Sequence, residues 1–173
     1  MAKTLEQRPP GVEWSLYSKV PVSERERCLK ECAELTGAVY PGLDLEREIG
    51  ALSDQQIGDT ILVRDGDFLT GLAVCHVGRG SEAGTGSTYV KFGAVRPGNA
   101  APKLFDRLLS ACEGFAAERE TPRLVAGVNT ARHPAYRLMM ERGFRAFFQG
   151  VAMQRPKEPG YNRPDCFVID DWR

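Results

Sequence analysis

The sequence lacks a surplus of charge of either sign. Lysines and arginines number 23, aspartates and glutamates 23, and the formal net charge is zero. No whole-chain field therefore draws the protein to nucleic acid or to an anionic membrane. A long apolar run is also missing, since nothing in the chain approaches the roughly 20 residues that cross a bilayer. The opening stretch MAKTLEQRPPG has no apolar core of the kind a secretory leader carries, so the expected location is cytoplasmic. There is no disulfide framework either. Cys28, Cys32, Cys75, Cys112 and Cys166 are odd in number and lack framework spacing, as expected of reduced thiols. No internal repeat is evident.

What is present is an ordinary globular composition, 42% hydrophobic and 27% charged over 173 residues, which is the length of one domain. Residues 1–11 read as a flexible N-terminal arm and residues 12–173 as a single domain. VEWSLY (12–17) has the character of a first strand. Ser23 with Glu26 three residues on forms a capping-box pattern, and the helix it predicts carries Cys28, Leu29, Cys32 and Leu35 to Gly37 at its C′ position. A second helix is expected through Leu45–Leu52.

Two strands flanking Asp65-Gly66 predict a hairpin, residues 60–64 and 68–74. GRGSEAGTGS (78–87) reads as a flexible loop, and YVKFGAV (89–95) as the next strand. Pro102 to Arg119 is the best helix, with Leu104, Leu108, Cys112 and Phe115 on one stripe. Arg123–Val128 is short and bounded by turn formers, so strand–helix–strand here predicts a parallel pair with a crossover. Pro134 suits the first turn of the next helix and Gly143 ends it. Ala146–Met153 and Cys166–Trp172 read as the last two strands, and the latter can complete its own sheet or pair with a second copy to give a homodimer.

The run LVAGVNTARHPAYRLMMERGF (124–144), preceded by TYVKFGAVRPG and an apolar helix, resembles the core of the GCN5-related N-acetyltransferase family. The resemblance implies an α/β fold, a central mixed β-sheet flanked by helices on both faces. It also implies transfer of an acetyl or small acyl group from acetyl-CoA, or another acyl-CoA, to a small-molecule or peptide amine. Gly93 and Gly127 would lie in two parallel neighbours that splay to admit the pantetheine arm, or would serve tight packing against a helix. The N–H groups of Ala94 and Val95 would meet the acyl carbonyl and the pantetheine.

Two family signatures are altered. The phosphate loop runs glutamine or arginine, two residues, glycine, one residue, then glycine or alanine. One registration gives Arg96, Asn99 and Ala101; another gives Ala100, Lys103 and Phe105. Asn99, Ala100, Ala101 and Lys103 are the implied cofactor contacts, with Asn99 as a helix cap and Lys103 and Arg107 as positive charge, against the plainer reading of a capped helix with a solvated lysine. Pro102 removes one N–H donor. On the last helix, the family's asparagine, alanine, leucine and tyrosine fall on Arg132, Ala135, Leu138 and Met139. Methionine protonates nothing. Tyr136, one turn earlier and about 4.5 Å along the axis, is the candidate proton donor, or a core aromatic. Asn129 closes its strand, either touching the cofactor or building a turn.

His76, Glu13, Tyr89 and Asp170 are candidate general bases without a ranking. Cys28 and Cys32 share a helical face without further ligands, which reads as buried thiols and not as a metal site. The rival function is a domain that keeps the fold but not the catalysis and serves as a ligand sensor or interaction module.

Overall fold

A computed structural model describes residues 1–5, 12–151, 163 and 165–170. Its centre is one seven-stranded mixed sheet. In chain order the elements are β1 (Ala2–Thr4), β2 (Ser15–Leu16), α1 (Arg25–Val39), α2 (Glu46–Gln55), β3 (Gly58–Asp65), β4 (Phe68–Gly78), β5 (Gly84–Val95), α3 (Ala101–Glu118), β6 (Arg123–Ala126), α4 (His133–Glu141) and β7 (Val168–Asp170). Spatially the strands run β1-β6-β5-β4-β3-β2, with β7 joined to β5.

Side-chain alternation divides the sheet between two cores. Ile61, Val63, Cys75, Val90, Phe167 and Ile169 pack beneath α3 and α4 with Phe105, Phe115, Met139 and Phe144. Leu62, Val74, Phe92, Ala94 and Val168 pack against α1 and α2 with Cys28, Cys32, Leu35 and Leu52. Burial on both faces explains why the central strands read as nearly continuous apolar runs. The Asp65-Gly66 hairpin forms as predicted, with Gly66 at φ +58°. β5 and β6 are the expected parallel pair, joined through α3. No helix of the described residues is long and apolar enough to cross a membrane.

Several expectations need correction. Residues 2–4 of the supposed arm form β1, antiparallel to β6, and so cover an edge that would otherwise expose unpaired N–H and C=O groups. Residues 6–11 lie outside the described residues. Only Ser15–Leu16 of the first expected strand pairs, because Tyr17–Lys19 turn into a 3₁₀ helix. Ser23 does not cap α1. The chain enters a 3₁₀ turn at Val22–Glu24, Glu24 N–H donates to the Pro21 carbonyl at 2.8 Å, and Glu24 precedes the helix. Gly37 lies inside α1, which continues until Val39 is buried in the core.

Half of the expected 78–87 loop is strand, leaving residues 79–83 between β4 and β5. Residues 146–151 of the expected penultimate strand are in no strand, and only the isolated bridge of Arg145 to Ala2 precedes them. Residues 152–153 fall outside the described residues. The last strand is β7, and it completes its own sheet.

Candidate functional site

The site is set by a bulge. Along β4 and β5, Val74 faces Phe92 while the next residue, Cys75, faces Val90, so Lys91 is extra. An extra residue bends its strand and breaks the local ladder. β5 pairs with β6 only over Ser87–Val90, up to the bulge, and beyond Lys91 the two strands diverge. Gly93 was expected to help the two strands splay or to pack tightly against a helix. Instead it allows a close approach: a Cβ there would sit 3.4 Å from Ile169 Cδ1 and 3.5 Å from Ile169 Cβ.

The gap holds β7. Phe92, Gly93 and Ala94 pair with Asp170, Ile169 and Val168. Val95 N–H donates to the Phe167 carbonyl and Gly98 N–H to the Asp165 carbonyl, each across 3.4 Å, while Asp170 N–H donates to the Gly127 carbonyl at 3.2 Å. β7 thus bridges the arms of the divergence. Phe167, Val168 and Ile169 are all buried, and Phe167 lies 5.5 Å from Phe105 between ring centroids.

A buried polar cluster pins this strand. Arg132, 3% exposed, donates from Nη1 to Asp170 Oδ1 at 2.8 Å and from Nη2 to the Tyr40 hydroxyl. The Tyr40 hydroxyl donates to Asp170 Oδ2 at 3.2 Å. Burial, and then the neighbouring Asp170 charge, push the Tyr40 hydroxyl well above its ordinary pKa. Asp170 was a candidate base; its carboxylate is committed to this cluster. Arg132 stands where the family carries asparagine. Tyr40 went unrecognised in the sequence because nothing local marks a tyrosine at a helix end as the partner of residues 92 and 130 positions away.

Ala94 and Val95 are buried in β5. Their N–H groups face opposite edges, as alternation requires. Val95 faces β7. Arg96 N–H donates to the Thr70 carbonyl of β4 at 2.9 Å, which puts Ala94 on the β4 side, opposite Leu72. At the start of α3, Ala100 precedes the helix and no side chain caps it, Asn99 included. Ala101 N–H donates to the Gly98 carbonyl at 3.0 Å, and Gly98 takes φ +124°, a conformation that favours glycine. Pro102 has no N–H, so the first turn is left with the donors of Ala100 and Lys103. Both residues are exposed. Arg107 is turned away, donating to the Arg64 carbonyl at 2.9 Å.

Met139, at the family's tyrosine position, is fully buried in the core. Tyr136 is half-buried, and its hydroxyl has no hydrogen bond among the described residues. Asn129 builds a turn: its Oδ1 accepts from Ala131 N–H at 2.9 Å and its carbonyl from Arg132 N–H at 2.9 Å. Of its two candidate roles, this is the turn-forming one.

On the α1/α2 face, His76 pairs across the strands with Tyr89. It is buried, with Nε2 3.4 Å from Glu48 Oε1. Lys91 Nζ lies 3.5 Å from the same carboxylate oxygen and pairs with Glu82. Glu13 is exposed.

No family model and no curated protein matches this sequence. Solved structures do. A wild-type protein from Thermus thermophilus matches with 19% identity over 77% of this chain and 94% of that one, at a TM-score of 0.50; its point mutant gives 18%, 75%, 91% and 0.52. A ribosomal-protein-alanine N-acetyltransferase from Brucella melitensis biovar Abortus 2308 matches with 14% identity over 83% of this chain and 99% of that one, at a TM-score of 0.50. A GCN5-related N-acetyltransferase from Sphaerobacter thermophilus matches at 19% identity over 71% of this chain and 39% of that one, at 0.47. With its mixed sheet, crossover helix and parted parallel strands, the chain has the fold of the GCN5-related N-acetyltransferases.

Proposed function

We propose that this chain is an acyl-CoA-dependent N-acyltransferase that moves an acetyl or other small acyl group onto a small-molecule or peptide amine. One observation carries the reading: β5 leaves β6 at the Lys91 bulge and turns a backbone edge toward the gap, where β7 now pairs with it. Such an edge suits an extended arm that bears amides, because strand-like ligands pair with backbone donors and acceptors. The edge does accept an extended segment, since β7 lies on it. The residues therefore fit a pantetheine arm wherever β7 gives way.

Acyl-CoA supplies an activated thioester to such a site; the remaining work falls to the chain. Val95 N–H, directed at the gap, is the donor for a carbonyl oxygen that gains negative charge. The Ala100 and Lys103 N–H groups, with the Lys103 ammonium, are the donors for a diphosphate at the start of α3. The Tyr136 hydroxyl is the candidate that returns a proton to the leaving sulfur. His76, beside Glu48, is the candidate that takes one from the amine, directly or through water.

The test is incubation of the full chain with acetyl-CoA and a panel of amines and peptides, with products read by mass spectrometry beside a calorimetric titration. Saturable binding and an acylated amine are expected. Neither binding nor product at millimolar acetyl-CoA would overturn the reading.

A second reading, a domain that keeps the fold without the chemistry, has its own support. β7 and the residue before it bury Phe167, Val168 and Ile169, and each such side chain stabilises the docked segment by about 1.5–3 kcal/mol. In that case β7 is a permanent part of the sheet.

A further inference from the structure

We propose that β7 is a displaceable plug of the acyl-CoA slot, held shut by the Arg132–Asp170–Tyr40 latch. The inference rests on the acyl-CoA reading and adds to it how the slot is controlled. One strand edge has one set of donors and acceptors, so the edge from Phe92 to Val95 carries either β7 or a pantetheine arm, never both. The Val95 N–H proposed for the thioester carbonyl is the one that Phe167 now engages.

The ladder that holds β7 is short, and the contacts around it are long. Among the described residues, three residue pairs join it to β5. The further contacts at Val95, Gly98 and Asp170 span 3.2–3.4 Å, whereas on the other edge Arg96 meets Thr70 at 2.9 Å. Ordinary N–H···O bonds centre near 2.9–3.0 Å. What holds β7 is its buried side chains and one ion pair. Buried ion pairs are weak general stabilisers but strong selectors of one arrangement, because separating the partners strands a charge. Arg132 comes from the start of α4, Tyr40 from the end of α1 and Asp170 from β7 itself. The latch therefore joins the moving strand to helices on the two faces of the sheet.

A closed slot weakens apparent affinity in proportion to the fraction of molecules that are open. Loosening the latch raises that fraction, so acetyl-CoA binds more tightly to the variant than to the wild type. The test measures amide hydrogen exchange and acetyl-CoA affinity on the full chain, wild type against Asp170→Asn, which keeps the side-chain size and removes the charge. Tyr40→Phe is the milder variant should Asp170→Asn fold poorly. In the wild type, amides of residues 165–170 are expected to exchange faster than those of β4 and β6. Asp170→Asn is expected to accelerate them, and to tighten acetyl-CoA binding, by about tenfold or more. Adding acetyl-CoA should speed their exchange further by displacing the strand.

Acetyl-CoA binding that leaves 165–170 as protected as before overturns the plug and leaves the transferase reading standing. Exchange of 165–170 only through global unfolding, in the wild type and both variants, also overturns the plug. Opening of β7 without acetyl-CoA binding in any variant overturns the transferase reading, and the competition with it.

Discussion

The contact between Gly93 and β7 gives a test that needs no ligand. A Cβ built on Gly93 meets Ile169 Cδ1 at 3.4 Å, Ile169 Cβ at 3.5 Å and Val90 Cγ1 at 3.5 Å. These are ordinary van der Waals distances, so one methyl group fits. Gly93→Ala also removes conformational freedom from the unfolded chain, a gain of about 0.4–1 kcal/mol where the backbone tolerates it. Gly93→Val adds two further carbons where Ile169 already stands. Overpacking of this kind costs about 1–3 kcal/mol. For a chain of this size each kcal/mol moves the melting temperature by roughly 2–4 °C. Alanine should thus hold or raise the Tm and valine should lower it, as read by thermal and urea denaturation. Pairing Gly93→Val with Ile169→Ala relieves the crowding and should recover part of the loss beyond additivity. If valine is as stable as alanine, or if the Ile169 change restores nothing, β7 does not lie against Gly93 and the closed slot is wrong.

The remaining predictions are independent of that contact. Gly58→Ala places a Cβ 2.0 Å from the Cys75 carbonyl oxygen, a backbone atom, so the variant should lose well over 1 kcal/mol in urea titrations, and a neutral outcome would refute the β3–β4 register. Tyr136→Phe should reduce kcat about 100-fold with little change in acetyl-CoA affinity; unchanged turnover would remove the tyrosine from the chemistry. Cys28 is held down from the ordinary 9.0 to about 7, chiefly by a hydrogen bond from Cys32 and then by Arg64, while that bond and burial push Cys32 up. An acid whose folded pKa is depressed adds stability above its unfolded pKa and loses it as pH falls through the folded one. The urea midpoint should therefore rise between about pH 7 and 9, then turn over as the Cys32 thiol resists ionisation. Cys28→Ser should flatten the rise, and an identical profile would refute the pairing.

Legibility from sequence followed the strength of local signals. α3 was plain because Leu108, Cys112 and Phe115 recur at helical spacing and all three are buried. The Asp65-Gly66 turn was plain because few dipeptides accept its backbone. β1 was invisible, since Ala-Lys-Thr has no period of its own and becomes a strand only because β6 offers an unpaired edge. The bulge falls on Lys91, where no residue type announces it; a bulge is a mismatch between two strands and neither strand contains it alone. Ser23 had the right chemistry for a cap, but Pro21 and Val22 started the turn early. The latch was illegible for another reason. Its three members are distant in the chain, and each has a commonplace local reading: a helix-end tyrosine, a basic helix residue and an acidic strand residue.

The segment entering and forming β7 alternates Phe167, Val168 and Ile169 between the core beneath α3 and α4 and the core against α1 and α2. It works like a zip between two linings, so vacating its groove loosens both at once. A vacant groove is then the least comfortable arrangement, because it leaves apolar surface of both cores uncovered. On the proposed reading, occupancy is an exchange of tenants with little time spent empty.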